Sequence, residues 1–265
     1  MQTVSRLIRE FQPTSYNLSL TLERTERTFS GVVTINGVAT GNNIALHSKD
    51  LTITSVTIDG KIGTFVQEQD DELRFTREDL QPGKHIVVVG FSGTITDAMH
   101  GLYPCFYEHD GVKKELLATQ FESHHAREVF PCVDEPEAKA TFDVTLTTEQ
   151  NVTVLGNMPI KSQRVEDQQL VTTFDQTPKM SSYLLAWVVG ELHRKTASSK
   201  SGVEVNVWAT PVQSEDSLVF ALDIATRTID FFDDYFGVPY PLPKSDHVAL
   251  PDFSSGAMEN WGLIT

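Results

Sequence analysis

Two segments of the 265-residue sequence concentrate the side chains that could do chemistry. Residues 119–136 are dense in polar, aromatic and proline residues, which is also typical of a structured surface loop. Residues 251–265 carry Glu259 in a stretch of small and apolar residues. Gly256 permits close approach of another backbone, and the chain from Ala257 onward can run extended, so that it could pair with a peptide by strand addition. An ordinary edge strand with one acidic residue is the alternative.

Metal binding is the next chemistry to consider. The eight histidines include no pair four residues apart, so the sequence has no His-Glu-x-x-His zinc helix. His124, His125 and Glu128 come nearest to a metal cluster, but three or four ligands are needed and the sequence supplies no convincing remainder. We therefore predict no metal ligand in this chain. Phosphate-loop, dinucleotide-binding and nucleophile-elbow motifs are also absent from the sequence.

Composition excludes several other classes. The 21 basic and 36 acidic residues give a net charge of −15, which disfavours nucleic-acid binding. No stretch approaches the ~20 apolar residues of a membrane helix, and the first 13 residues do not resemble a secretory signal. Two cysteines do not make a disulfide framework, and we expect both to be buried free thiols. We expect a cytoplasmic protein without nucleic-acid or membrane partners.

Strands dominate the first 190 residues. Apolar residues alternate with polar ones from Tyr16, from Phe142 and from Tyr183, which is the period of a half-buried strand. Residues 86–89 are continuously apolar, which predicts a strand covered on both faces. The pattern favours an antiparallel β-sandwich.

Turns and a candidate boundary divide these strands. Residues 59–60 and 110–111 both read Asp-Gly, which predicts tight hairpin turns. The polar stretch 193–202 predicts a domain boundary or a long hairpin loop, and alternation at 203–207 predicts a further strand.

One helix is predicted over residues 214–236, capped by Ser214 and ended by Gly237. Six apolar residues at helical spacing predict a single stripe that packs in the core: Leu218, Leu222, Ala225, Ile229, Phe232 and Phe236. The sequence therefore predicts a mainly β chain, with a β domain followed by the beginning of a mixed α+β domain.

Several motifs together resemble one family. Residues 256–260 read Gly-Ala-Met-Glu-Asn, the GAMEN signature, and residues 119–122, 130–136, 180–184 and 235–241 add matching motifs in the same order. Over essentially its whole length the chain resembles the zinc aminopeptidases of the aminopeptidase N family. The amino-acid sequence of residues 135–142 is most similar to that of the cytoplasmic enzymes of lactic acid bacteria.

The resemblance implies a domain layout and a cofactor. Residues 1–192 would form a saddle-like antiparallel β domain, and residues 193–265 would begin a thermolysin-like catalytic domain. In the family the zinc-binding helix follows the GAMEN segment, whereas this sequence ends at Thr265. We therefore expect zinc to be the cofactor of the full-length enzyme, with none bound by this chain alone, which would be inactive without the remaining catalytic and C-terminal domains.

The resemblance also implies site residues for a peptide with a free N-terminus. Glu259 matches the glutamate that binds the α-amino group of the substrate, and Glu122 matches a second position that reaches the same amine. Gln120 lies beside Glu122 and helps to shape the first side-chain pocket. The peptide would lie along the remaining members of the signature: Gly256, Ala257, Met258 and Asn260.

A second function remains open from the sequence. The chain could be a non-catalytic β-sandwich that binds peptides or another partner. The apolar helix stripe discriminates between the two hypotheses, because a stripe covered within the chain favours such a module, whereas an uncovered stripe favours part of a larger enzyme.

Overall fold

The structure is a computed structural model that describes residues 6–265. Residues 1–5 lie outside the described residues, and they include part of the N-terminal stretch that was compared with a secretory signal. The strands in chain order are β1 (Phe11–Glu23), β2 (Thr28–Ala39), β3 (Ile44–His47), β4 (Thr52–Ile58), β5 (Lys61–Ile62), β6 (Thr64–Gln67), β7 (Glu72–Thr76), β8 (Gly83–Thr94), β9 (Gly101–His109), β10 (Val112–Gln120), β11 (Thr141–Glu149), β12 (Thr153–Gly156), β13 (Ile160–Glu166), β14 (Gln169–Phe174), β15 (Trp187–Gly190), β16 (His193–Ser198), β17 (Glu204–Ala209), β18 (Lys244–Val248) and β19 (Leu263–Ile264). The α-helix α1 spans Val219–Phe236, and short 3-10 turns cover Leu7–Arg9, Ala126–Glu128, Ser182–Leu184 and Glu215–Leu218.

An eight-stranded sheet forms one layer, in the order β13-β14-β11-β1-β2-β8-β4-β5. Its pairings are antiparallel except between β1 and β11, which run parallel and place Tyr16 beside Phe142. The two rings stack with centroids 4.9 Å apart, and both side chains are buried. The alternation that predicts strands from Tyr16 and Phe142 is confirmed.

Two smaller sheets complete the first part of the chain. They have the strand orders β12-β15-β10-β9 and β3-β7-β6. Buried aromatic residues, including Phe121, Phe130 and Trp187, fill the core that these sheets share with the large sheet. Both predicted Asp-Gly hairpins are confirmed, with all four turn residues at φ between 52° and 75°.

The last part of the chain adds the sheet β16-β17-β18-β19, in which β17, β18 and β19 run parallel. Trp208, Val248 and Leu263 from this sheet pack in one apolar cluster with Tyr103 and Val188 of the second sheet. The predicted fold class, mainly β with a mixed α+β part at the end, is confirmed. Within residues 6–265 no helix has the length and apolar character needed to cross a membrane.

Two strand predictions and one loop alternative are wrong. Residues 86–89 lie in β8 but alternate, because Val87 and Val89 are fully buried while Ile86 is 47% exposed. The strand predicted from Tyr183 begins only at Trp187, since a 3-10 turn occupies Ser182–Leu184. The long hairpin loop predicted as one alternative for residues 193–202 is also wrong, because most of this stretch is strand β16, whose side chains alternate between half-buried and exposed positions. The other alternative, a domain boundary, stays a prediction.

The helix also differs from its prediction. A 3-10 turn over Glu215–Leu218 precedes α1, and Ser214 makes no side-chain capping bond. Gly237 ends the helix in the left-handed conformation, as predicted. The stripe is packed as far as Ile229 and is exposed beyond it. Phe232 is 46% exposed and Phe236 is 66% exposed, and the exposed aromatic surface continues onto other residues: Phe220, Phe231 and Tyr235.

Candidate functional site

Residues 251–265 are attached to the N-terminal sheets at Asp252. Its Oδ2 accepts a hydrogen bond from the backbone N–H of Phe106 at 2.6 Å. Its backbone carbonyl accepts bonds from the Tyr103 hydroxyl and the Cys105 thiol, both at 3.2 Å. Burial raises the pKa of Cys105 to about 12, so the thiol remains protonated and able to donate. Both cysteines are free and buried, as expected.

A backbone pair fixes the centre of this segment. The N–H of Met258 donates to the carbonyl of Thr265 at 2.7 Å, and the reciprocal bond measures 3.2 Å. Met258 is 1% exposed and lies in the main core, and Asn260 is 2% exposed. Glu259 lies between these two buried residues and is exposed. The packing that holds its neighbours inside therefore leaves the Glu259 carboxylate at the surface.

The extended run predicted from Ala257 onward is interrupted, because the chain reverses at the turn that contains Gly262. This glycine has φ 74°, and a Cβ there would lie 2.2 Å from the carbonyl oxygen of Asn157. Only glycine fits such a position without displacing the backbone. Gly256 and Ala257 are exposed, and the close approach expected at Gly256 has no partner within residues 6–265.

Asn157 joins the reversal to the N-terminal sheets. Its Nδ2 donates to the carbonyls of Trp261 at 2.9 Å and Leu184 at 2.8 Å. Its Oδ1 accepts from the N–H of Ala186 at 2.8 Å. One buried amide therefore joins Trp261, which directly follows the GAMEN residues, to the backbone of Leu184 and Ala186 and uses both of its polar atoms to do so.

Lys244 makes a second connection. Its buried Nζ donates to the carbonyls of Gly156 at 2.9 Å and Gly262 at 2.7 Å, and to Oδ2 of Asp246 at 2.7 Å. Burial lowers the pKa of Lys244, although Asp246 opposes that shift. Sequence reasoning missed both Asn157 and Lys244, because neither belongs to a motif and their partners are distant in the chain.

Gln120 and Glu122 flank a buried aromatic residue. Phe121 is fully buried and packs edge-on against Trp187, with ring centroids 5.4 Å apart. Gln120 ends β10 and is 8% exposed, and its Oε1 is buried without a hydrogen-bond partner in the described chain. An unpaired buried acceptor is costly, so it marks a position where a bound donor would be stabilising. Glu122 is exposed.

A buried network supports the rest of residues 119–136. Oδ2 of Asp134 accepts from Nε of Arg127 at 3.2 Å, and Oδ1 accepts from the Ser182 hydroxyl at 2.7 Å. The N–H of Asp134 donates to Nδ1 of His47 at 3.1 Å. Burial, reinforced by the charge of Arg127, lowers the pKa of His47 to about 3, so this imidazole is a neutral acceptor at neutral pH.

The predicted site residues thus fall into two groups. Gln120, Met258 and Asn260 are buried, whereas the others are exposed: Glu122, Gly256, Ala257 and Glu259. Phe121 and Met258 belong to the same core cluster, which brings the two segments onto one scaffold. Within residues 6–265 neither Glu122 nor Glu259 has a hydrogen-bond or ion-pair partner. Their convergence on one amine stays a prediction.

One group of three potential metal ligands lies together in the described chain: His100, His125 and Glu128. Lys49 also bonds to Glu128, at 2.9 Å. Burial disfavours ionisation of Glu128, but the hydrogen bonds from Lys49 and both histidines outweigh it and lower the pKa of this carboxyl. The group is not the helix-borne histidine pair implied for a catalytic zinc, so we derive no catalytic step through a metal from these residues.

The sequence of the chain matches two peptidase family models. Residues 12–184 match the model of the peptidase M1 N-terminal domain, and residues 220–265 match that of the peptidase family M1 domain. The chain belongs to the M1 family of peptidases.

Curated relatives share the sequence over nearly the whole chain. Aminopeptidase N of Lactococcus lactis subsp. lactis is 53% identical over 99% of this chain, and aminopeptidase N of Lactobacillus delbrueckii subsp. lactis is 47% identical over the same share. The puromycin-sensitive aminopeptidase of Caenorhabditis elegans is 40% identical over 96%. The chain spans 31%, 31% and 28% of the length of these three proteins, respectively.

Proposed function

We propose that this chain is the N-terminal part of a zinc-dependent aminopeptidase and that it holds the free α-amino group of a peptide substrate. Glu122 and Glu259 bind the amine in this proposal, and we call this pair the amine anchor. The Gln120 side chain offers a further hydrogen bond beside the amine anchor, and the peptide lies along residues 256–260. The supporting observation is that two exposed, unpartnered carboxylates extend from segments that are otherwise bonded tightly to the core.

Elementary electrostatics explains why such an anchor selects chain ends. A peptide α-amine has a reference pKa of about 7.7–8, so its cationic form is available near neutral pH. Two carboxylates stabilise that cation by charge-assisted hydrogen bonds. An internal peptide bond offers a neutral amide instead and would leave the carboxylates desolvated and unpaired, at a cost of several kcal/mol. Cleavage is thereby restricted to the first residue.

The unpaired Oε1 of Gln120 supports the same function. A protonated amine carries three donors, and two carboxylates on one side leave at least one donor for a further acceptor. Gln120 lies two residues before Glu122, and its amide oxygen is a buried acceptor without a partner in the described chain. Binding of the amine would relieve the desolvation cost of this oxygen, which adds to affinity without requiring a third charge.

The other parts of the enzyme complete the proposal. We place the domain boundary between residues 192 and 193, just before β16. The additional length of the relatives would supply the zinc ligands and the groups that act on the scissile bond, where zinc polarises a carbonyl and activates water. The peptides cleaved are those with a free N-terminus, and the proposed location is the cytoplasm.

The exposed aromatic surface of α1 argues against a self-contained binding module. Phe232 and Phe236 belong to the stripe that a module would cover from within, yet both are substantially exposed, and the groove beside them has a volume of about 930 Å³. A surface of this kind requires a partner. The remaining catalytic domain is the partner that we propose.

The anchor is tested in the full-length protein by Glu122→Ala and Glu259→Ala. Each should lower kcat/KM on an aminoacyl reporter by far more than threefold, whereas Glu108→Ala, which removes another exposed carboxylate, should leave it unchanged. A loss below about threefold, or under roughly 1 kcal/mol, would contradict an essential anchor. A reporter with an acetylated amine should be a poor substrate for the parent enzyme and should be much less affected by either substitution.

A further inference from the structure

His100, His125 and Glu128 form a compact cluster at the start of β9. Nδ1 of His100 lies 2.7 Å from Oε2 of Glu128, and Nδ1 of His125 lies 3.0 Å from Oε1. The two imidazoles stack with centroids 4.1 Å apart and planes inclined by 27°. The next residue, Gly101, has φ 65°, and a Cβ there would lie 3.0 Å from Oε2 of Glu128. Glycine therefore allows β9 to begin directly against this carboxylate.

We propose that these three side chains bind a zinc-class divalent transition metal ion. Their ligand atoms lie within 4.8 Å of one another, and all three residues are only half-buried. Two imidazole nitrogens and one carboxylate oxygen are a typical zinc ligand set, with bonds of about 2.0–2.2 Å and a fourth position left for water. Small rotations of the side chains are needed, because each nitrogen now faces the carboxylate directly. The proposal departs from the sequence-based expectation that this chain holds no metal ligand.

Lys49 is the competitor for the site. Its Nζ lies 2.9 Å from Oε1 of Glu128 and neutralises the carboxylate in the absence of a metal. The Lys49 side chain is 38% exposed, so its ammonium can move into water when a metal takes its place. A bound metal would therefore replace the Lys49 ammonium at Glu128. It would also gain the imidazoles of His100 and His125 as ligands, which take no part in the ion pair between Lys49 and Glu128.

His124 is outside the ligand set although it adjoins His125 in sequence. Its ring stacks on His125 with centroids 4.8 Å apart, and its Nδ1 bonds to the Ser123 hydroxyl at 2.8 Å. The sequence alone indicates a cluster of His124, His125 and Glu128, whereas in the structure His100 takes the place of His124. His124 provides a matched control, since its removal takes away an adjacent imidazole without removing a ligand.

The test uses the 265-residue chain stripped of metal with a chelator. Zn²⁺ is titrated by calorimetry and Co²⁺ by visible absorption, with the fold of each variant checked by circular dichroism. We expect one equivalent to bind, with at least tenfold weaker binding, about 1.4 kcal/mol, for His100→Ala and for His125→Ala. His124→Ala should change affinity by less than about twofold, since it removes no ligand.

Lys49→Met separates a metal site from a structural cluster. If the ammonium competes with the metal, its removal should tighten binding of Zn²⁺, whereas loss of a merely structural contact would not. Lack of saturable binding in the parent chain, equal losses in the His124 and His100 variants, or weaker binding after Lys49→Met would overturn the proposal. Metal bound here should bring no peptide hydrolysis, so the result is independent of the amine anchor.

Discussion

The Nζ of Lys244 lies 2.7 Å from Oδ2 of Asp246, and both side chains are almost fully buried. The lysine also donates to a carbonyl on each side of the junction between the two parts of the chain, Gly156 and Gly262. A buried ion pair is retained at low cost only when its remaining donors and acceptors are satisfied. Here the carbonyls satisfy the ammonium, and Asn206 donates to Oδ1 of Asp246 at 2.8 Å.

Lys244→Met should lower the free energy of unfolding by about 3–5 kcal/mol, because it leaves the Asp246 carboxylate buried without a counter-charge. The double variant Lys244→Met, Asp246→Asn should lose less than the single one, since it removes the uncompensated charge. Urea denaturation measures both. Lys200→Met, at a largely exposed position, is the control and should change stability little. A double variant less stable than Lys244→Met would contradict the pairing.

His47 should make the protein sensitive to acid. In the unfolded chain its imidazole binds a proton below about 6.5, whereas in the folded chain it does so only below about 3. The unfolded state therefore binds more protons between these values, so stability falls as pH decreases through this window. This one group contributes a slope of about 1.4 kcal/mol per pH unit.

His47→Asn tests that slope, since the amide can still accept from Asp134 but does not titrate. The dependence of unfolding free energy on pH between about 5.5 and about 4 should become shallower by approximately that amount, because this window lies well between the two pKa values of His47. A His47→Asn profile parallel to that of the parent would be inconsistent with the buried neutral imidazole.

Gly262 and Gly60 form a matched pair for testing the reversal of the GAMEN segment. Both have φ near 75°, but a Cβ at Gly60 meets nothing within 4 Å, whereas one at Gly262 collides with the Asn157 carbonyl. Gly60→Ala should cost about 1–2 kcal/mol from the left-handed backbone alone. Gly262→Ala should cost about 1–3 kcal/mol more, because the neighbouring backbone must move. Thermal denaturation distinguishes them, and equal losses would show that the close approach is unimportant.

The aromatic surface of α1 should bind a hydrophobic dye in the 265-residue chain. Replacing Phe232 and Phe236 together with serine should reduce dye fluorescence strongly, because these side chains form much of the exposed surface. Ile62→Ser, which removes an isolated side chain that is 88% exposed, should have little effect. In the full-length protein the dye should bind weakly before any substitution. Equally strong binding there would argue against burial of this surface by the catalytic domain.

Local signals in the sequence account for the elements that were predicted correctly. Alternation gave the strands that contain Tyr16 and Phe142, Asp-Gly pairs gave two hairpins, and Gly237 gave the end of the helix. The same reasoning failed at residues 86–89, because an apolar run does not reveal whether both faces of a strand are covered. It also failed for the helix stripe, because helical spacing shows which residues share a face but not whether anything packs against it.

The site was only partly predictable for a related reason. Motifs identified the exposed carboxylates of the proposed amine anchor, Glu122 and Glu259, but not the buried residues that hold their segments in place. Asn157 is 104 residues from its partner Trp261, and His100 is 28 residues from Glu128. Contacts of this kind depend on strand order, including the parallel pairing of β1 with β11, and no local spacing in the sequence encodes them.

The bonds from Asn157 and Lys244 to the reversal at residues 261–262 have a geometric consequence. These bonds fix the position of Glu259 relative to the N-terminal sheets rather than relative to its own neighbours in the chain. A sliding movement between the two parts of the molecule would therefore displace Glu259 relative to Glu122. In the proposed amine anchor, selection of a peptide terminus would then depend on how firmly the two parts are held in alignment.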